Sequence, residues 1–147
     1  MITVNPLRLR LSVFIILVLQ VISILSLANA EALHAPKRVI IVYYFHRTIR
    51  CPSCTLLENM TREAVVYGFE KELNSGRVKI AVINVDLKAN EHFITDYNID
   101  AQSVIVSEMV NGKEKRWKNL DQAWTLLGDE GRLWQYLLGE IESYLNH

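Results

Sequence analysis

The chain has few of the residues on which several kinds of small protein depend. It contains only two cysteines among 147 residues, which excludes a framework of several disulfide bridges and leaves no second cysteine pair for a closed four-ligand zinc site. Its four histidines are scattered along the sequence. No glycine-rich loop follows a predicted strand, so the sequence shows no phosphate cradle for a flavin or nicotinamide cofactor. We therefore expect neither a cofactor nor a metal, and the single cysteine pair becomes the main candidate for chemistry.

An excess of positive charge is also lacking. The chain carries 16 basic and 16 acidic residues. Without Arg8 and Arg10, which lie near the N-terminus, 14 basic residues stand against 16 acidic ones, a net charge of −2. A domain that binds nucleic acid presents a basic surface to the phosphates. The charge balance therefore predicts no nucleic-acid partner.

Residues 1–30 have the layout of a secretory signal peptide. The two arginines precede an apolar run from Leu11 to Leu27, and Ala28-Asn29-Ala30 supplies a small-residue cleavage site. Cleavage would leave residues 31–147, enough for one domain with a single core. The apolar run is longer than the usual signal core of about 7 to 15 residues, so an uncleaved N-terminal anchor is the alternative. In both cases we expect the domain outside the cytoplasm, either periplasmic or secreted, or anchored to the membrane if cleavage fails.

The cysteine pair stands in Cys51-Pro52-Ser53-Cys54, between a strand predicted over Val39–Phe45 and a helix predicted over Thr55–Leu73. At a helix N-terminus, unpaired N–H groups and the helix dipole favour the thiolate over the thiol. Cysteines placed there can have pKa values of roughly 3.5 to 7.5. Pro52 suits the first helical position because it has no N–H to leave unpaired. We expect the N–H groups of Ser53 and Cys54 to point toward the sulfur of Cys51.

This placement predicts different chemistry for the two sulfurs. Cys51, the outer residue, is the predicted nucleophile, whereas Cys54 faces the core and should resolve a mixed disulfide by attacking the sulfur of Cys51. Arg50 and Arg47 are expected to add positive charge beside the thiolate, and His46 to add charge or relay a proton. A redox-active disulfide of this kind needs no other cofactor.

Three other interpretations of the cysteine pair stay open. A static disulfide is disfavoured, because a loop of two intervening residues removes little entropy from the unfolded chain. A non-catalytic module could hold a soft metal or metalloid between the thiolates of Cys51 and Cys54. A structural subunit of a redox complex would use the cysteines only as a disulfide that stabilises its fold.

The rest of the sequence predicts an α/β fold. Apolar alternation indicates a strand over Arg77–Val85, and the turn signal Asn111-Gly112 joins strands over Ser103–Val110 and Lys113–Trp117. Helices are predicted over Glu91–Tyr97, Asp121–Leu127 and Arg132–Leu145. Asp86 is expected to cap the loop after the second strand, and a polar group near the site is the alternative role for it. The order β-α-β-α-β-β-α, in which the helix from Asp121 is a minor element, gives a mixed four-stranded sheet with helices on both faces.

This order, with CPSC at the start of the first helix, resembles the thioredoxin-fold superfamily. More closely, the segments VYYFH, RCPSC, VINVD, NEHFITDY, RWKNL and GEIESYL, spread over residues 38 to 146, resemble the ArsF family, small exported proteins described as subunits of a nitrophenyl-compound nitroreductase. The resemblance implies a thiol-disulfide oxidoreductase in which Cys51 attacks and Cys54 resolves. It also implies that the partners are thiols or disulfides of other proteins, with a membrane electron donor as a further candidate. The nitroreductase activity itself is not extended to this chain.

Two departures from the thioredoxin pattern affect substrate binding. Arg50 precedes the first cysteine where thioredoxins have tryptophan, so substrate docking should be more polar and cationic. Ser103 takes the position of a cis-proline opposite the dithiol. A cis bond without proline costs about 2.5 to 4 kcal/mol, so we expect a trans bond at Ser103, with its hydroxyl and N–H as candidates to face the sulfurs.

A third departure concerns proton transfer. The buried acid that thioredoxins place under the dithiol is not evident, because Tyr44 or Phe45 falls near that place. Proton transfer from Cys54 would then depend on water, His46 or Glu58.

Overall fold

The computed structural model describes residues 37–146, and four strands of this part form one mixed sheet. The strands are β1 (Arg38–His46), β2 (Val78–Asn84), β3 (Ser103–Val110) and β4 (Lys113–Asn119). Strand β1 lies parallel to β2 and antiparallel to β3, which pairs in turn with β4 in an antiparallel hairpin. The spatial order is β2-β1-β3-β4. The sheet therefore has the mixed four-stranded composition that the sequence predicted.

Two long helices and three short ones complete the described part. They are α1 (Pro52–Gly68), α2 (Glu70–Asn74), α3 (His92–Asp96), α4 (Gln122–Thr125) and α5 (Glu130–Leu145), and a single 3₁₀ turn covers Lys88–Asn90. None of the helices in this range is both long and apolar enough to span a bilayer. The predicted signal peptide or anchor of residues 1–30 lies outside the described residues, so its cleavage, the domain boundary at residue 31 and export stay predictions.

The helix after the cysteine pair differs at both ends from its prediction. It begins at Pro52, so Cys51 is its N-cap, and it breaks at Phe69 instead of continuing to Leu73. Phe69 leaves helical geometry, with φ −133° and ψ 37°, and its side chain is buried. At Gly68 a Cβ atom would lie 2.3 Å from a methyl carbon of Leu138. The missing side chain at Gly68 thus lets the end of α1 approach α5 closely before the chain turns away.

The two faces of the sheet are covered unequally. On one face, Ile40, Val42 and Tyr44 of β1 belong to the larger core, together with buried residues of α1 and α5. The last helix buries Leu133, Leu137, Ile141 and Tyr144 on one side, at helical spacing. On the other face, a smaller core forms around Phe45 and the short helix α3. Helices on both faces are therefore confirmed, and the two long helices, α1 and α5, cover the same face of the sheet.

The direction of the strands determines where the site lies. Because β1 and β2 are parallel, their carboxyl ends meet at one edge of the sheet, with His46 paired to Asn84. The loop between β1 and α1, which leads into Cys51, and the loop after β2 therefore leave the sheet side by side.

Candidate active site

The two cysteines form a disulfide at the start of α1, with their Cα atoms 5.0 Å apart. Cys51 is exposed, whereas Cys54 is buried, with 3% of its surface accessible. Pro52 occupies the first turn of the helix, as predicted, and Ser53 is exposed between the cysteines. A partner that approaches this end of the helix therefore meets Cys51 first.

The helix N-terminus contacts the sulfur of Cys51 directly. The N–H of Cys54 donates to Cys51 Sγ at 3.1 Å, so the sulfur takes the place that a side-chain oxygen takes in an ordinary N-cap. The N–H of Thr55 donates to the carbonyl of Cys51 at 3.1 Å and begins the regular helical pattern. Of the two N–H groups predicted to point at this sulfur, the structure shows the bond for Cys54. The same contact would stabilise a thiolate at Cys51 after reduction.

A tyrosine lies beneath the disulfide. Tyr44 is fully buried, and its hydroxyl donates to the carbonyl of Cys54 at 2.5 Å. Burial raises the pKa of the Tyr44 phenol above its ordinary value, so at neutral pH the group is a neutral donor. Phe45 points into the smaller core on the opposite face. Tyr44 thus braces the first turn of the helix and does not act as a base.

The arginine before Cys51 is paired with a carboxylate. Arg50 donates to Glu58 on α1, and its guanidinium carbon lies 5.8 Å from the centre of the Tyr44 ring. Glu58 is buried and accepts a second hydrogen bond from Arg62 Nε at 2.8 Å. Burial raises the pKa of Glu58, but the hydrogen bonds and charges of the two arginines outweigh it and hold that pKa below its ordinary value. Glu58 is therefore a poor acceptor for a proton from Cys54, contrary to one of the candidates proposed from the sequence.

The other arginine of this loop is also paired. Arg47 Nη1 lies 3.0 Å from Asp86 Oδ1, and the N–H of Thr48 donates to Asp86 Oδ2 at 2.7 Å. The Thr48 hydrogen bond is the main reason that the pKa of Asp86 is lowered, and Arg47 adds to the effect. Asn84 Nδ2 donates to the Thr48 hydroxyl at 3.1 Å. Each of the two guanidinium groups predicted to add positive charge near Cys51 therefore has a carboxylate beside it, which offsets part of that charge.

Of the two roles predicted for Asp86, the structure shows the polar group near the site. Its carboxylate accepts from Arg47 and from the N–H of Thr48, and so holds the loop that leads into Cys51. The sequence contained a usable signal, because residues that follow two parallel neighbouring strands meet at the same edge of a sheet. Asp86 follows β2 as Thr48 follows β1.

His46 and Ser103 are both held by backbone carbonyls. His46 Nδ1 donates to the carbonyl of Arg47 at 2.9 Å, and its ring stacks near Tyr44 with centroids 6.3 Å apart. The bond at Nδ1 leaves Nε2 as the acceptor of a neutral ring. All peptide bonds of residues 37–146 are trans, Ser103 included, as predicted. The Ser103 hydroxyl, a candidate to face the sulfurs, instead donates to the carbonyl of Ala101 at 3.1 Å.

Metal ligands are not gathered elsewhere in the described part. Between residues 37 and 146 no three His, Cys, Asp or Glu side chains lie close enough together to hold a metal ion. The two cysteine sulfurs are bonded to each other, and a cysteine binds metal as the thiolate. The chemistry that the sulfurs offer in this form is exchange with another thiol.

No family model and no curated protein matches the chain. Among solved structures it is similar to thioredoxin from Trypanosoma brucei brucei, with 20% identity and a TM-score of 0.41 over 71% of this chain and 76% of that chain. It is also similar to thioredoxin-2 of the malaria parasite, with 17% identity and a TM-score of 0.38 over 63% of this chain and 84% of that chain. The strand order and the cysteine pair at the start of α1 make the fold of the described residues thioredoxin-like, and the finer resemblance to the ArsF family stays a prediction.

Proposed function

We propose that the protein is an exported thiol-disulfide oxidoreductase that exchanges electrons with a partner protein through Cys51 and Cys54. The observation that carries this proposal is the asymmetry of the disulfide, in which an exposed Cys51 at a helix N-terminus is joined to a buried Cys54. Exchange requires a sulfur that a partner can reach, because a thiolate must attack it or it must itself attack as a thiolate. The helix N-terminus stabilises the thiolate that attacks or leaves. Both requirements are met at Cys51.

In the reducing direction, the thiolate of Cys51 attacks one sulfur of a partner disulfide. A bond forms between Cys51 and that sulfur, and the partner's other sulfur leaves as a thiolate. Cys54 then loses its proton to solvent or a nearby base, and its thiolate attacks the sulfur of Cys51. The Cys51–Cys54 disulfide forms, and the partner sulfur that was bonded to Cys51 leaves as a thiolate. Two electrons have passed from the dithiol to the partner.

The oxidising direction reverses each step. A partner thiolate attacks Cys51 of the disulfide, and Cys54 leaves as a thiolate. A second partner thiolate then attacks the partner sulfur of the mixed disulfide, so that a partner disulfide forms and Cys51 leaves as a thiolate. The direction in the cell depends on the potential of this pair relative to that of the partner, and about 30 mV is a tenfold change in the equilibrium constant.

The proposal also includes a compartment outside the cytoplasm and a class of partner. The predicted signal at residues 1–30 would send the domain to an oxidising compartment, where disulfides persist. A periplasmic or secreted protein of this kind needs a donor or acceptor to reset it. Protein thiols or disulfides are the proposed partners, with a membrane electron donor as the candidate for resetting.

Trapping of mixed disulfides tests the proposal. In Cys54→Ser the residue that resolves the intermediate is missing, so we expect partner proteins to accumulate on Cys51 as adducts that disappear on treatment with dithiothreitol. Non-reducing gels and mass spectrometry of the purified variant would identify them. The double variant Cys51→Ser/Cys54→Ser is the control and should carry none.

Two outcomes would contradict the proposal. One is the absence of adducts on Cys54→Ser after growth under both reducing and oxidising conditions. The other is wild-type protein that is purified with a stoichiometric soft metal or metalloid, lost when either cysteine is replaced, which would favour a binding module instead.

A further inference from the structure

Four side chains link the loop before Cys51 to the body of α1. Arg50 donates to Glu58, Arg62 Nε donates to the same carboxylate at 2.8 Å, and the Arg50 guanidinium lies over the ring of Tyr44. Tyr44 in turn donates to the carbonyl of Cys54. This group, Tyr44, Arg50, Glu58 and Arg62, is called the Glu58 cluster below. The cluster adjoins the disulfide through Tyr44, which bonds to the carbonyl of Cys54, and through Arg50, which precedes Cys51 in sequence.

Glu58 is the buried centre of this cluster. Only 7% of its surface is exposed, and it lies one helical turn after Cys54. A buried carboxylate is costly unless charged partners and hydrogen bonds satisfy it. The two arginines supply both. Arg50 is thereby fixed to the helix, although the loop that carries it is exposed from Thr48 to Arg50.

The pairing changes what Arg50 contributes to the neighbouring sulfur. A positive charge close to Cys51 favours its thiolate, and a negative charge close by opposes it. With Glu58 in contact with Arg50, the field of the guanidinium at Cys51 is partly cancelled. The ion pair with Glu58 therefore limits the effect on Cys51 of the positive charge carried by the residue next to it.

We propose that Glu58 is a positioning residue that holds Arg50 beside Cys51 and offsets its charge, and so sets the reduction potential of the Cys51–Cys54 pair. The inference rests on the proposed function, because a potential matters only where the disulfide is exchanged. A more stable thiolate stabilises the dithiol and makes the pair more oxidising. Glu58 therefore makes the pair less oxidising than the sequence Arg50-Cys51 alone would make it.

The other charged or titratable side chains near this loop have partners elsewhere, so Glu58 is the one that acts on Arg50. Arg47 is paired with Asp86, which also accepts the N–H of Thr48. His46 donates to a backbone carbonyl through Nδ1. Among the described residues, Arg50 is the charged side chain adjacent in sequence to Cys51, and Glu58 is its ion-pair partner.

Glu58→Gln tests the inference, because glutamine keeps an oxygen that accepts from Arg50 but removes the charge. We expect the equilibrium of the purified domain with glutathione to shift about tenfold toward the dithiol, equivalent to about 30 mV. We also expect the pKa of Cys51, measured from the pH dependence of alkylation, to fall by about one unit. Glu63→Gln is the matched control, since it removes the same charge from an exposed position of the same helix, and its equilibrium should stay within about twofold of wild type.

A further variant tests the contribution of Arg50 itself. Arg50→Gln, a substitution at a partly exposed side chain, should shift the equilibrium in the opposite direction, toward the disulfide.

The inference would be overturned by an unchanged equilibrium in Glu58→Gln, by an equal shift in Glu63→Gln, or by a shift of Arg50→Gln toward the dithiol. These outcomes differ from failure of the proposed function. That failure would appear as wild-type protein that equilibrates with glutathione while Cys54→Ser traps no partner protein.

Discussion

Replacing Cys51 by serine should lower the rate of disulfide exchange by about a thousandfold or more, because a serine hydroxyl cannot form the mixed disulfide through which the reaction passes. The measurement is the reduction of a protein disulfide such as that of insulin, with dithiothreitol as the terminal reductant. Cys54→Ser should also fail to turn over, but for a different reason. It keeps the exposed sulfur of Cys51, so in a single-turnover reaction without dithiothreitol its first attack should proceed and its product should stay covalently attached.

The control for this comparison is Asn59→Ala, at an exposed position farther along α1, which should leave the rate within about twofold of wild type. The assignment of Cys51 as nucleophile would fail if Cys51→Ser kept its activity. It would also fail if Cys51→Ser formed mixed disulfides through Cys54 as readily as Cys54→Ser forms them through Cys51.

Replacing Leu57 by alanine should lower the free energy of unfolding by about 2 to 5 kcal/mol, the cost of a large buried side chain lost from a packed core. Leu57 is completely buried in the larger core and lies one turn after Cys54 on the same helix. The loss would show in urea unfolding of the oxidised protein followed by circular dichroism.

Val66→Ala is the matched control, because Val66 lies on the same helix with 41% of its surface exposed. It should cost less than about 1 kcal/mol. Equal losses for the two substitutions would mean that the inner face of α1 is not the one described. The helix that carries the cysteines would then be held against the sheet by other residues.

The parts of the fold that local patterns determine could be predicted from the sequence. Strand β3 begins and ends at the predicted residues, Ser103 and Val110. The turn after it uses Asn111 at φ 53° and Gly112 at φ 77°, the left-handed conformations for which Asn-Gly is favoured in hairpins. The cysteine pair was placed correctly at the start of a helix, because Pro52 and the preceding apolar strand are both local signals.

The parts that depend on distant neighbours could not be predicted. The first helix breaks at Phe69, directly after the glycine at which a side chain would clash with α5, and helical periodicity does not report on another helix. The positive charge of Arg47 and Arg50 was visible in the sequence, but their partners Asp86 and Glu58 were not. Those partners are known only once the strand order brings two loops together and the burial of Glu58 is seen.

The most direct test of the account is the pH dependence of iodoacetamide alkylation of the two cysteines in the reduced wild-type protein. The rate at each cysteine, followed by mass spectrometry, gives the pKa of its thiol. The account predicts that Cys51 reacts first and has a pKa clearly below the ordinary value of about 8.5, while the buried Cys54 reacts slowly. A pKa of Cys51 at or above 8.5, or faster alkylation of Cys54, would contradict it.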